Sequence, residues 1–294
     1  MKRLGKKQTV NSQHESLFFK LPGELRNMIY DLVVTDAAIH IFYKKETEKL
    51  CAYRCMRPPT WQVYRGHDGC LLSRHFFEGD SSFYRNYDPR VGVLPLLRTC
   101  RMIYTELIPI VYSKPTFMFS SFNHFLLFTS SILPSRFSSL QSIHFERHGR
   151  NAQPKARPFE NAFYEPLLYR PRPEPIPMRN PILPSLSQAN GPMTAHLGVS
   201  VWWATCKVLQ RLPGLKRLRV DIEWPMCLSQ PQSQRHGLTS VAERIYRDIV
   251  DGFVMLAEGR EREEAREIIE VYWDSFPTPA DGEEWARLGF MKVC

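Results

Sequence analysis

Phe18-Phe19-Lys20-Leu21-Pro22-Gly23-Glu24-Leu25-Arg26-Asn27-Met28-Ile29-Tyr30-Asp31-Leu32-Val33-Val34 combines a helix-start signal with an apolar stripe at a single phase. Pro22 suits the first helical position, where its missing N–H costs nothing, and Glu24 in the first turn faces the positive end of the helix dipole. Leu21, Leu25, Ile29 and Leu32 follow at helical spacing, with Met28 and Val33 widening the face. On pattern alone such a stripe buries itself against its own domain.

A second block lies downstream: Leu96-Leu97-Arg98-Thr99-Cys100-Arg101-Met102-Ile103-Tyr104-Thr105-Glu106, then Pro109, Val111-Tyr112-Ser113 and Thr116-Phe117. The order Leu21-Pro22-x-Glu24-Leu25 with Ile29 four residues on resembles the opening of the F-box, the module by which substrate adaptors dock onto the Skp subunit of cullin-RING ubiquitin ligases. The longer string, with its Arg26-Asn27 and Ile29-Tyr30 pairs and the Cys100-Arg101 block, is similar to a set of uncharacterised F-box-like proteins of filamentous fungi, with a domain of unknown function. The resemblance covers residues 18–147 well. It implies an F-box-like helical fold and a partner-binding set of Leu21, Pro22, Glu24, Leu25, Ile29, Cys100 and Arg101. In the F-box three helices follow one another closely, whereas here a strand and a long insertion come between the two blocks, so the F-box-like part is split.

Around these blocks, Ala38-Ile39-His40-Ile41-Phe42-Tyr43 reads as a short strand rich in β-branched and aromatic residues. Residues 44–93 show no sustained period and read as an irregular insertion with one or two short strands, for example around Cys70-Leu71-Leu72. A second helix is expected from Pro95, with Leu96, Leu97, Cys100, Ile103, Tyr104, Leu107, Ile108 and Val111 on its broad apolar face and a kink or restart at Pro109.

Further on, Leu140-x-x-Ile143-x-Phe145, Leu215-x-x-Leu218-x-Val220 and Ile268-x-x-Val271-x-Trp273 repeat one set of apolar offsets. A helical pattern precedes each: Phe122 to Ile132, Val199 to Leu209, and Val241 to Leu256 with a Ser240/Glu243 capping box. Helix followed by strand, three times, predicts parallel strands joined by crossovers. The expected fold class is α/β (α+β): a split F-box-like helical N-terminal part joined to a small, loosely repeat-like layer of strands with helices on one side. The expected divisions are a basic tail over 1–16, the F-box-like region over 17–147 with its insertion at 44–93, a proline-rich linker over 148–195, and an α/β part over 196–294 packed on the same core. The linker holds ten of the chain's 23 prolines between Pro154 and Pro192, and alternating prolines hold neither a helix nor a central strand.

The 294 residues include 43% apolar side chains, enough for a sizeable core. No apolar run approaches the roughly 18 residues that a membrane helix needs, and Met1 to Glu15 is polar and basic, so the cytosol or nucleus is expected, with no membrane partner. Seven cysteines spread along the chain suit reduced thiols. The net charge of +9 divides as +3 over 1–34, +8 over 35–199 and −2 over 200–294. That basic middle, with pairs such as Tyr64-Arg65 and Tyr84-Arg85, supports an alternative reading as a nucleic-acid-associated protein, although no recognised binding motif accompanies it.

Catalytic signatures do not occur: there is no Gly-rich phosphate loop, Gly-x-Ser-x-Gly or His-Glu-x-x-His. His144 reads as a strand histidine facing solvent. Cys51-x3-Cys55 and His67-x2-Cys70 have spacings loosely suited to zinc, but the resemblance implies no metal. The sequence therefore points to a non-enzymatic interaction protein, without cofactor, whose partners would be the Skp subunit and a protein substrate.

Overall fold

The three apolar triplets become adjacent strands of one sheet. The computed structural model describes residues 16–34, 38–44, 49–55, 93–145, 201–222, 250–258, 267–273 and 291–293. The helices are α1 (Leu17–Lys20), α2 (Gly23–Val33), α3 (Val93–Leu97), α4 (Arg101–Ser113), α5 (Phe122–Ser131), α6 (Pro134–Phe137), α7 (Val201–Gln210) and α8 (250–257). The strands are β1 (Ile39–Lys44), β2 (Lys49–Arg54), β3 (Thr116–Phe119), β4 (Ser142–Phe145), β5 (Arg217–Ile222), β6 (Ile269–Trp273) and β7 (Met291–Val293). They form one seven-stranded mixed sheet in the order β2-β1-β3-β4-β5-β6-β7, antiparallel between β1 and β2 and parallel elsewhere. The protein is α/β, and its sheet is shared by segments from both sides of the proline-rich stretch.

Strand register explains why apolar residues recur at alternate positions. Ile39, Phe117, Ile143, Leu218 and Ile269 stand side by side across five strands, and Ile41, Phe119, Phe145, Val220 and Val271 form the next row. All ten are buried. Side chains two apart in a strand share a face, so both rows face one side, where α5, α7 and α8 supply Phe122, Phe125, Trp202, Cys206, Phe253 and Leu256 to the same core. Rings interlock there at centroid distances of 5.1 Å for Phe122–Trp202 and 5.0 Å for Trp202–Phe253. Each fully buried large apolar side chain contributes about 1.5–3 kcal/mol, which makes this layer the main source of stability.

α8 approaches α7 closely enough to require a glycine. A Cβ at Gly252 would stand 2.9 Å from Trp202 Cε2 and 3.0 Å from Cys206 Sγ. Gly252→Val is expected to destabilise the protein by about 1–3 kcal/mol through overpacking, read as a lower urea midpoint. An unchanged midpoint would contradict the α7–α8 contact.

Several expectations change in detail. The third triplet enters the sheet shifted by two residues, Val271 lying beside Val220 rather than Leu218, which keeps the same face inward because the period is two. Residues 44–93 contain a strand, β2, which closes a hairpin on β1 with Cys51 opposite Phe42; the Cys70 segment and the Ser240/Glu243 box lie outside the described residues. The helix expected from Pro95 is two helices. α3 ends at Leu97 and α4 starts after Cys100, whose Sγ accepts a hydrogen bond from Ile103 N at 3.4 Å, while Pro109 lies inside α4 without ending it. Pro22 precedes the first helical residue of α2 instead of occupying it.

A candidate docking face on the N-terminal helices

α2 is built against its own pattern. At about 100° per residue, Leu25, Met28 and Leu32 project roughly opposite Tyr30. Tyr30 is 0% exposed, whereas Leu25, Met28 and Leu32 are 45%, 61% and 79% exposed. The stripe expected in a core therefore faces outward, and Arg26, Tyr30 and Val34 point inward. Leu21 and Ile29 flank the stripe half-buried, and Pro22 and Glu24 at its start are exposed.

The reversal has an electrostatic cause. Glu106 of α4 accepts two bonds from Arg26, Nε to Oε2 at 3.1 Å and Nη2 to Oε1 at 2.7 Å, and a third from Tyr30 Oη to Oε2 at 2.8 Å. Arg26 Nη1 also bonds Leu21 O at 2.6 Å, fastening the turn between α1 and α2. A bidentate guanidinium–carboxylate pair fixes orientation as well as distance. The Arg26 bonds hold Glu106 below the usual carboxylate range, and burial together with Glu106 pushes the Tyr30 phenol well up, so the ion pair stands with a neutral phenol beside it. Lys114 adds an exposed link to Asp31 at 3.1 Å. Around this clamp Tyr30, Val34, Val93, Ile103 and Leu107 form a second small core, with Phe18 and Phe19 packed on it. The two sequence blocks thus meet despite the insertion, joined by Arg26 and Tyr30 from one and Glu106 from the other. Those polar residues were in plain view in both blocks; their pairing was the missed signal.

The candidate residues do not form one surface. α4 meets α2 on the Tyr30 side, so Cys100, which caps α4, and the exposed Arg101 lie away from the Leu25–Met28–Leu32 face. Pro22, Glu24 and Leu25 share the outward side, with Leu21 and Ile29 at its margins. Tyr64, Arg65, Tyr84, Arg85, His67 and Cys70 lie outside the described residues. Cys51 and Cys55 sit on and just after β2, an extended segment that separates positions four apart by roughly 13 Å, too far for two thiolates to share one zinc at about 2.3 Å each.

His144 corrects the expectation of a solvent-facing ring. It is buried on the opposite face of the sheet, with Nε2 2.9 Å from Asp221 Oδ2, and Arg219 Nε donates to Asp221 Oδ1 at 2.8 Å. Burial alone would raise the Asp221 carboxyl, but His144 and then Arg219 outweigh it and hold it below the ordinary range. The trio ties β4 to β5 across their register through two side-chain hydrogen bonds to one carboxylate.

Fold and face together define an α/β protein with a helical unit that turns an apolar stripe outward. The chain belongs to the family described as Domain of unknown function (DUF7730), whose model matches residues 11–248. That span runs from α1 through β5 and stops before β6 and β7. No curated protein and no solved structure matches the chain. Among the described residues no helix is long and apolar enough to cross a membrane.

Proposed function

We propose that this protein is a non-enzymatic interaction protein of F-box-like type, acting in the cytosol or nucleus, whose α2 stripe docks the Skp subunit of a cullin-RING ubiquitin ligase. The observation that supports this reading most is the outward stripe itself. Large apolar side chains aligned on one exposed helix face mark an interaction site more often than a bare surface. Leu25, Met28 and Leu32 are also spaced as an apolar helix face suited to a complementary groove. The helices that the long insertion separates in sequence are held together by the Arg26–Glu106–Tyr30 clamp, giving the stripe the rigid backing that a docking helix needs. The sheet and its loops would then present a protein substrate.

Co-purification with a recombinant Skp subunit tests the reading. The wild-type chain is expected to retain Skp, and a Leu25→Gln, Met28→Gln, Leu32→Gln chain to lose it by at least about tenfold, since central apolar anchors carry most of such an interface. Gln keeps helix propensity and charge. Equal recovery of Skp by both chains, or by neither, would defeat the proposal.

A further inference from the structure

A second surface stands on α4 and α6, away from the α2 stripe. Arg136 of α6 donates from Nη2 to the hydroxyl of Tyr104, and its guanidinium lies 5.8 Å from the ring centroids of both Tyr104 and Tyr112. Tyr112 is stacked in turn on Phe117 and Phe128, which anchors the group to the main core. Tyr104 stays 38% exposed, Leu133 beside α6 is exposed too, and Arg101 stands one helical turn before Tyr104 on the same side of α4.

The charge of this segment is unbalanced. Between residues 93 and 145 the only acidic residue is Glu106, and its oxygens are taken by Arg26 and Tyr30. Among the described residues no carboxylate is paired with Arg101 or Arg136. An exposed group of Arg and Tyr with an apolar neighbour has the composition of an interface centre, and a planar guanidinium held by ring stacking is pre-set to grip a carboxylate.

We propose that the Arg101–Tyr104–Arg136 surface, with Leu133 at its edge, binds an acidic peptide segment of a partner protein. Peptide is favoured over nucleic acid because bases need open aromatic faces to stack on, and here the Arg136 guanidinium covers Tyr104 and Tyr112 while Tyr112 also stacks on phenylalanines. The surface is separate from the stripe, and the proposal does not depend on Skp docking.

Fluorescence anisotropy of the full chain with a short labelled peptide alternating Glu and Leu tests it, against the same peptide with Gln for Glu and a single-stranded RNA of equal length. The acidic peptide is expected to bind with an affinity that falls as salt rises, and Arg101→Glu with Arg136→Glu to weaken it by about fivefold or more. Because Arg136 packs on two rings, Arg101→Glu alone, at a solvent-exposed position, is measured in parallel and is expected to weaken binding in the same direction. Equal affinity for the Gln peptide, tighter binding of RNA, or unchanged binding by the Arg101→Glu chain would overturn the proposal.

Discussion

Tyr30→Ala is expected to lower unfolding stability by about 3–5 kcal/mol, the range for removing a fully buried aromatic side chain, and to abolish docking along with it. Tyr30 is fully enclosed, its ring lies 5.7 Å from that of Phe18, and its hydroxyl donates to Glu106. Truncation removes packing under α1 and α2 and one of three bonds that orient the carboxylate. Tyr30→Phe separates these contributions. It keeps the ring and loses one hydrogen bond to a charged acceptor, so a cost of about 1.5–3 kcal/mol is expected. Urea unfolding of the two variants reads both numbers, and equal costs would show that ring packing contributes nothing beyond the hydroxyl.

Asp221→Ala carries the other large effect. Its carboxylate is nine-tenths buried between His144 and Arg219, and removing it takes away a charged acceptor bonded to both, each such bond contributing about 1.5–3 kcal/mol, so a loss of about 3–5 kcal/mol is expected. The pH dependence follows from the direction of the shift. The folded-state pKa of Asp221 is depressed below its ordinary 3.8, so the folded protein holds its proton less tightly than the unfolded chain does. The stabilisation is fully present above that ordinary value and is lost as pH falls through the depressed folded value. The gap between wild type and Asp221→Ala, measured by denaturant unfolding, is expected to be large at neutral pH and to narrow below pH 3.8. A gap that widened on acidification would contradict the assignment.

Much of the sheet was legible because its strands obey period two and its helices period 3.6 with few interruptions. Ile143 and Phe145, Leu218 and Val220, and the helices carrying Phe125, Trp202 and Phe253 fall where their spacing predicts. Register was less legible: the two-residue shift of Val271 preserves every face, so the apolar pattern does not distinguish it. The break before α4 was hidden because Cys100 is an unusual cap and its thiol reads as an apolar member of the helix face. The orientation of α2 could not be read from its apolar pattern for a deeper reason. Hydropathy assigns Leu25, Met28 and Leu32 to the inside, yet a tyrosine and an arginine win the interior through one carboxylate 76 residues from Tyr30 in sequence. A pattern confined to one helix carries no information about such a partner. His144 failed similarly, its partner Asp221 lying 77 residues away on the neighbouring strand.

The outward stripe is the claim on which the functional reading stands, and unfolding free energy tests it most directly. Three exposed positions exchanged for Gln change stability little, since surface substitutions each fall within about 0.5 kcal/mol, whereas three buried ones would cost several kcal/mol apiece. The Leu25→Gln, Met28→Gln, Leu32→Gln chain is therefore predicted to unfold within about 1.5 kcal/mol of wild type in urea. A loss of about 5 kcal/mol or more would mean that the stripe belongs to the core, contradicting the account.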